Sequence, residues 1–492
     1  MNWVNKTAIE QCTALQHGEI SASELLEITL AHSETLIPHI NPFGLKLYDR
    51  ARLMAKEADR LLRKSKGGPL CGLPITIKDS NWLAGVTCAN GSRTLENFIP
   101  NQTSSAVQRL EDAGAVIFAK TTCPEFCVNG ITESELYGRT SNPWNTSKTP
   151  GGSSGGAAAA VAAGMGSLSL GGDGGGSIRI PAAFCGITGF KPSFGNIPRG
   201  PGFKTWESII AYGPMARTVS DTKLMYSVLT DTCSGIDGHA TFLNKSHKLI
   251  ASDTLGFAPV DDDVLSAFHD VLHLIENAGH PLVHDNPGLH SSVVTWAVTA
   301  TYDMWEHKQS LIHQNEEVGS TARAFIEFGG EFTETDFADA QEHRVKVHDS
   351  YIDMFKRNRS AILLTPTLGC EAFDHGTIHP PKIGDTEITY PWLDWAGFLY
   401  DGNLAGLPAC SIPMGIGDEG LPLSLQIIGA PGNDAEVLEV ALMIEDLIQW
   451  QTPVFSADHY STINSQQPTT PRHHTHVAGH YDIHPPTDQT GF

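Results

Sequence analysis

Two glycine-rich stretches hold serines where the backbone has unusual freedom. "PGGSSGGAAAA", Pro150 to Ala160, carries Ser153 and Ser154, and "GGDGGGSIRIPAAFCG", Gly171 to Gly186, carries Ser177. Such stretches can be flexible linkers, phosphate-cradling loops, glycine-rich structural turns or rigid turns that present a serine for chemistry. The phosphate reading is weak: no lysine follows "GGSSGG" as a P-loop requires, and "GGDGGG" lacks the full dinucleotide pattern with its acidic partner. The serine reading makes specific demands. A hydroxyl is a poor nucleophile until a base within hydrogen-bond reach takes its proton. The developing oxyanion also needs donors, which successive backbone N–H groups in a glycine turn supply without side-chain obstruction. "DGGGS" has that character, yet none of the 22 histidines, the usual base, lies in either stretch.

The surrounding pattern is that of an α/β protein. "SASELLEITLAHSETL" from Ser21, with Glu24 three residues on, reads as a capping box opening an amphipathic helix. A second helix is predicted over Asp49 to Leu62, ending near Arg63, Lys64 and Lys66, cations that suit the negative end of a helix. "LPITIKDS", Leu73 to Ser80, is a short apolar strand with Lys78 and Asp79 at its end. Thr103 to Ala113 reads as a helix and Ala115 to Ala119 as a strand, the alternation expected of a sheet covered by helices. Ser154 to Ala163 predicts a buried helix whose small residues let neighbouring backbones approach closely. Further helices are expected over Asp221–Leu229, Asp262–Asn277 and Ala435–Trp450, with a mostly helical cover from Trp296 to Met354. Ala361–Thr367 is a buried strand, and "LPACSIPMG" and "LPLSLQIIG" form a strand pair.

Bulk properties narrow the function classes. The 492 residues allow one large domain or two to three average ones. A net charge of −23 argues against a general nucleic-acid binder, which needs clustered Lys and Arg. Nine scattered cysteines read as free thiols, and with neither a leader pattern nor a membrane-length apolar run the default is a cytoplasmic protein with no membrane contact. From about residue 456 the chain becomes rich in Pro, Thr and His, an extended tail in which His473, His474, His476, His480 and His484 suggest weak adventitious metal binding rather than a dedicated site.

The glycine–serine core resembles the amidase signature family, serine hydrolases with a Ser-Ser-Lys triad. The family reads "GGSSGG" followed by "GxDxGGSIRxPxxxCGxxGxKP"; this chain reads "GGSSGGAAAAVAAGMGSLSLGGDGGGSIRIPAAFCGITGFKPSFG", with Ser153 and Ser177 at the family spacing of 24 positions. "GLPITIKDS" resembles the family's strand-end lysine motif. "SELYGRTSNPWN", "GPMARTVSD" and "NLAGLPACSIPMG" extend the likeness over roughly residues 5 to 450. The resemblance implies a single large α/β/α domain, residues 1–455, with a central twisted mixed sheet of about eleven strands covered by helices, and a tail over 456–492.

It also implies roles. Ser177 is the nucleophile; Ser153, on a cis peptide bond to Gly152, relays protons to Lys78, which must be neutral to accept one. Burial is the general route to a neutral lysine. The amides of Gly174, Gly175, Gly176 and Ser177 form the oxyanion hole, with Ser154, Asp173 and Arg179 in support. Gly172 and Gly174 depart from the side-chain-bearing residues of many members, which points to a wider pocket near the acyl group. The implied activity is hydrolysis of a small carboxylic acid amide through an acyl-enzyme that would also serve esters, with no cofactor and no metal. Two other readings stay open: the glutaminase component of a tRNA-dependent amidotransferase, which would need partner proteins, and a non-catalytic scaffold relative. A homodimer also stays open.

Cys123 and Cys127 in "CPEFC" are spaced like half a metal site, but no second pair follows, and the segment resembles the family's "TNxPEF" region. They read as structural thiols near the active-site wall, with Cys127 in the pocket. Among the aromatics, Trp82, Trp206, Trp392, Trp395 and Phe398 are pocket candidates, and Trp392, Trp395 and Phe398 have the better claim because they precede "NLAGLP".

Overall fold

The computed structural model describes residues 2–233, 248–314, 317–388 and 394–460. Its centre is one sheet of eleven strands. In chain order these are β1 (Phe43–Lys46), β2 (Pro74–Lys78), β3 (Val116–Thr121), β4 (Leu168–Asp173), β5 (Thr188–Lys191), β6 (Ala211–Ala216), β7 (Leu249–Ala251), β8 (Leu282–His284), β9 (Ile362–Pro366), β10 (Ala409–Ile416) and β11 (Pro422–Gly429). Across the sheet the order is β1-β3-β2-β4-β6-β5-β10-β11-β9-β7-β8. The β3-β2-β4 run is parallel, the stretch from β4 to β9 is antiparallel, and β9-β7-β8 is parallel again. Strands such as β2, β3 and β11 are buried at every residue because both faces of the sheet are covered, so no residue alternates out to water.

Each helix read from the sequence is present, and the helices Ala8–His17, Arg179–Cys185 and Tyr400–Leu404 add to them. Ser21 accepts from the Glu24 amide at 3.1 Å while the Glu24 carboxylate accepts from the Ser21 amide at 3.0 Å, starting the helix Ala22–Ile40. The helix expected from Thr103 begins at Ser105, and that expected from Asp49 at Tyr48. The charged cover between Trp296 and Met354 resolves into three helices, Val293–Gln314, Ser320–Gly329 and Glu334–Asn358. The alanine-rich helix Gly155–Ala162 is buried at every residue and packs against β2, β4 and β6. Glycine at 152 and 155 is what permits this: a Cβ on Gly152 would lie 2.4 Å from the Ile131 carbonyl oxygen, and one on Gly155 would lie 2.2 Å from Thr132 Oγ1.

The packed body runs past residue 455. Tyr460 is fully buried in the cluster that holds Leu36, Ile40 and Ala157, and its hydroxyl donates to the Pro143 carbonyl at 3.1 Å. The tail histidines 473, 474, 476, 480 and 484 lie outside the described residues. No disulfide joins any of the nine cysteines, all of which are among the described residues. Among the described residues no helix is long and apolar enough to cross a membrane.

Candidate active site

Strands β2 and β4 are parallel neighbours, so their C-terminal ends emerge side by side. Lys78 terminates the first and Asp173 the second. Beyond Asp173 the chain turns through Gly174–Gly176 to Ser177 and enters the helix Arg179–Cys185. Ser153 arrives from the turn in front of the helix Gly155–Ala162, and its peptide bond to Gly152 is cis. Lys78 and Ser153 are each 1% exposed, and Lys78 Nζ donates to Ser153 Oγ at 2.6 Å. Ser177 lines the same cavity as both. Ser154 ties the two glycine loops together: its amide donates to the Ser177 carbonyl at 3.1 Å, and its hydroxyl donates to the Gly172 carbonyl at 3.2 Å.

A buried ion pair shapes the loop. Arg179 Nε and Nη2 donate to the two oxygens of Asp173 at 2.9 and 3.0 Å, with both side chains fully buried. Burial alone would raise the Asp173 carboxyl, but the Arg179 guanidinium, and Lys191 beyond it, hold it well below the usual carboxylate range. The remaining guanidinium bonds go to Gln426 Oε1 at 2.8 Å and Asn403 Oδ1 at 2.6 Å, and Asn403 Nδ2 returns to the Asp173 carbonyl at 2.8 Å. Four of the five guanidinium N–H groups are thus committed and both Asp173 oxygens accept, the pairing that a buried charge requires. Desolvation beside Arg179 pushes Lys191 down to about 7.

Asp173 also decides which loop amides are available. Its oxygens accept from the Gly176 amide at 2.6 Å and the Ile178 amide at 3.2 Å. Gly176, expected as an oxyanion donor, thus has its single N–H committed to Asp173, and it does not line the cavity. The amides of Gly174, Gly175 and Ser177 have no acceptor among the described residues, and all three residues line the cavity.

The cavity is small, ≈ 40 Å³, room for a few water-sized groups. Its apolar wall is aromatic: Trp206, Trp296, Trp395 and Tyr400, with Ile180, Ile210 and Val128. Trp296 packs on Tyr400 with ring centroids 4.6 Å apart and donates to the Gly174 carbonyl at 2.8 Å. Among the described residues, Lys78 is the sole Lys, Arg, Asp or Glu that lines the cavity. The wider pocket expected from Gly172 and Gly174 is not found. A Cβ on Gly174 would meet the Trp206 ring at 3.2 Å and one on Gly172 would meet Tyr212 at 3.3 Å, so aromatic rings already fill that space.

Against this geometry, known proteins agree on one family. The family model described as Amidase matches residues 24–438. The glutamyl-tRNA(Gln) amidotransferase A chain of Synechococcus sp. (strain CC9605) is 32% identical, with 88% of this chain and 95% of that protein covered. The chain belongs to the amidase signature family. It is a hydrolase acting on amide bonds. Its fold matches a bacterial aryl acylamidase of that family at TM-score 0.82 and 26% identity, covering 94% of this chain and 99% of the other. The 6-aminohexanoate cyclic dimer hydrolase is similar at TM-score 0.81 and 25% identity, over 92% and 99% of the two chains.

The pocket residues expected in this amidase fall in three places. Cys127 and Trp395 line the cavity. Phe398 does not: it is buried in the main apolar core, where its carbonyl accepts from Gln426 Nε2 at 3.1 Å. Trp392 lies outside the described residues. Trp82 packs with Phe98 and Phe203 away from the cavity. Trp296, Asn403 and Gln426 join the site without a sequence motif that assigns them to it. Gln426 carries a local signal, a lone amide inside the apolar strand "LPLSLQIIG", and Asn403 carries another as the first residue of "NLAGLPACSIPMG". Cys123 and Cys127 have no third ligand, and no His, Cys, Asp or Glu trio suited to a metal occurs among the described residues.

Proposed function

We propose that this amidase hydrolyses small neutral carboxamides with an apolar or aromatic acyl group, using Ser177 as nucleophile, Ser153 as proton relay and Lys78 as base. The observation that carries the reading is the 2.6 Å hydrogen bond from Lys78 to Ser153 in the cavity lined by Ser177 and uncommitted amides. Ser177 Oγ attacks the amide carbonyl, its proton passes to Ser153, and the Ser153 proton passes to the Lys78 amine. The oxyanion is received by the amides of Gly174, Gly175 and Ser177, donors already fixed before charge develops. The relay then returns the proton to the leaving nitrogen, releasing ammonia or an amine. Water attacks the Ser177 ester by the same route and frees the carboxylate.

The aromatic wall and the scarcity of charge favour an uncharged acyl group. A glutamine would bring an α-ammonium and an α-carboxylate, and burying these without partners costs several kcal/mol. The amidotransferase relatives keep the glutaminase reading as the second one. The test is ammonia or amine release by the purified chain from aliphatic amides, aryl amides, anilides and glutamine, with Ser177→Ala alongside. Partner-free turnover of neutral amides that disappears in Ser177→Ala supports the proposal. Activity unchanged in Ser177→Ala overturns the mechanism, and release from glutamine only when partner proteins are added overturns the substrate class.

A further inference from the structure

Each uncommitted amide of the Ser177 loop shares a peptide group with the carbonyl of the residue before it. A planar trans peptide points its N–H and its C=O in opposite directions, so whatever holds the carbonyl also aims the amide. Neither cis peptide bond of the described residues lies in this loop. All three carbonyls are held. Asn403 Nδ2 donates to the Asp173 carbonyl at 2.8 Å, behind the Gly174 amide. Trp296 Nε1 donates to the Gly174 carbonyl at 2.8 Å, behind the Gly175 amide. The Ile180 amide donates to the Gly176 carbonyl at 2.7 Å, behind the Ser177 amide. The remaining peptide, Gly175–Gly176, is held by its amide instead, on Asp173, and offers no donor to the cavity.

The three holders differ in what else they do. The Ile180 amide belongs to the first turn of the helix that the loop enters, and Asn403 also closes the clamp on Arg179. The Trp296 indole N–H makes this one bond, reaching the loop from the helix Val293–Gln314, 122 residues along the chain from Gly174. Its ring is fixed by packing: it is 7% exposed and lies against Tyr400, Trp206 and Phe325, with centroids 4.6, 6.2 and 6.5 Å away. Glycine at 175 admits it, since a Cβ there would lie 2.6 to 2.7 Å from indole atoms Cζ2, Cε2 and Nε1. The absence of a side chain leaves a backbone with wide conformational freedom, and the indole that occupies the space restricts it.

We propose that Trp296 is a positioning residue for amide hydrolysis: by holding the Gly174 carbonyl, its indole N–H keeps the Gly175 amide turned toward the cavity as an oxyanion donor. The inference rests on the reading in which the loop amides receive the oxyanion. Gly174 is buried, so deleting the indole N–H leaves its carbonyl without a partner, and a peptide that rotates to find one carries the Gly175 amide away with it. The loss falls on the transition state, where the substrate oxygen bears its charge, and much less on the bound neutral amide. A tryptophan that served only as a wall would act through contact with the acyl group, in the bound substrate and the transition state alike, and its value would grow with the size of that group.

The experiment compares the full wild-type chain with Trp296→Phe, which keeps an aromatic ring and deletes the N–H, on a small aliphatic amide and an aryl amide. The expected result is a kcat lower by about ten-fold on both substrates with KM changed by less than about two-fold; the loss is smaller than for a deleted donor because two other amides remain in place. Crystal structures of the two chains are expected to show the Gly174–Gly175 peptide turned in the variant. A loss confined to the aryl amide, a rise in KM with kcat kept, or an unmoved peptide overturns the proposal and leaves Trp296 as a wall of the pocket. Should Trp296→Phe fail to fold, Trp296→benzothienylalanine, which keeps the fused rings and has sulfur in place of the N–H, is read against the same outcomes. A wild type that hydrolyses neither amide overturns the functional proposal, and the orientation of the peptide in the variant still decides this one.

Discussion

The Asp173 carboxylate is gripped by Arg179 through two nitrogens and itself grips the Gly176 amide, so one buried ion pair fixes the backbone on which Ser177 is mounted. Removing one partner strands the other charge in the core. Arg179→Met is expected to cost about 3–5 kcal/mol of stability. A urea titration of the variant against the wild type checks this, and a shift in midpoint equivalent to less than about 1 kcal/mol would show that the pair is not structural.

Ser177→Ala, Ser153→Ala and Lys78→Ala should each lower kcat by about 10³-fold or more, and the double variant Ser153→Ala/Lys78→Ala should lose little beyond the worse single one, since residues acting as a unit are not additive. Steady-state kinetics on a single good amide reads this directly. Losses that multiply would mean that Lys78 and Ser153 act independently despite their hydrogen bond.

Gly175→Ala places a methyl 2.6 Å from the Trp296 ring, so either the ring or the Gly174–Ser177 backbone, the proposed oxyanion donor, must move. Displacing a preorganised donor costs about 10²–10³-fold in kcat with KM much less affected. Trp296→Ala in the same chain should restore part of that loss by vacating the space. Failure of the pair to recover any activity would place the damage in the backbone rather than in the ring.

Buried acids make stability depend on pH. Burial, with Asp221 nearby, pushes Glu445 up to about 7, and burial pushes Asp401 up to about 6. A carboxyl whose folded value is raised binds its proton more tightly in the native state. Its stabilisation is complete below the unfolded value near 4 and is lost as pH rises through about 6 to 7. Asp173, held low, works in the opposite sense, adding stability above the unfolded value that disappears as pH falls. Glu445→Gln should therefore flatten the decline in melting temperature between about pH 4.5 and 7. An unchanged slope in that window would rule Glu445 out as its source.

Elements with a local cause are legible in the sequence. Ser21 and Glu24 announce a helix because the cap is made by two residues three apart, and β2 and β3 announce themselves as charge-poor runs. β4 is not recognisable locally: "LSLGGD" carries two glycines, and only its place between β2 and β6 makes it a strand. β6, "AYGPMA", hides for the same reason. Within the site, Ser153, Ser177 and Lys78 stand out through motif and spacing, whereas Trp296 reaches the cavity from a remote helix with nothing in its neighbours to mark it. Phe398 shows the converse: its position beside a family motif suggests the pocket, but the turn into the helix Tyr400–Leu404 buries its ring in the core. Gly176 is legible as a loop residue but not as one already spoken for, since that depends on where Asp173 points.

The clamp on the loop from Asp173 to Ser177 joins distant parts of the chain, because Arg179 closes on Asn403 and Gln426. A ribosome that has delivered Lys78, Ser153 and Ser177 has still not delivered the groups that finish the arginine's coordination. The growing polypeptide therefore carries Ser177 for about half of its synthesis without the full support of its loop, which is complete only when the helix Tyr400–Leu404 and the last strand, β11, have emerged.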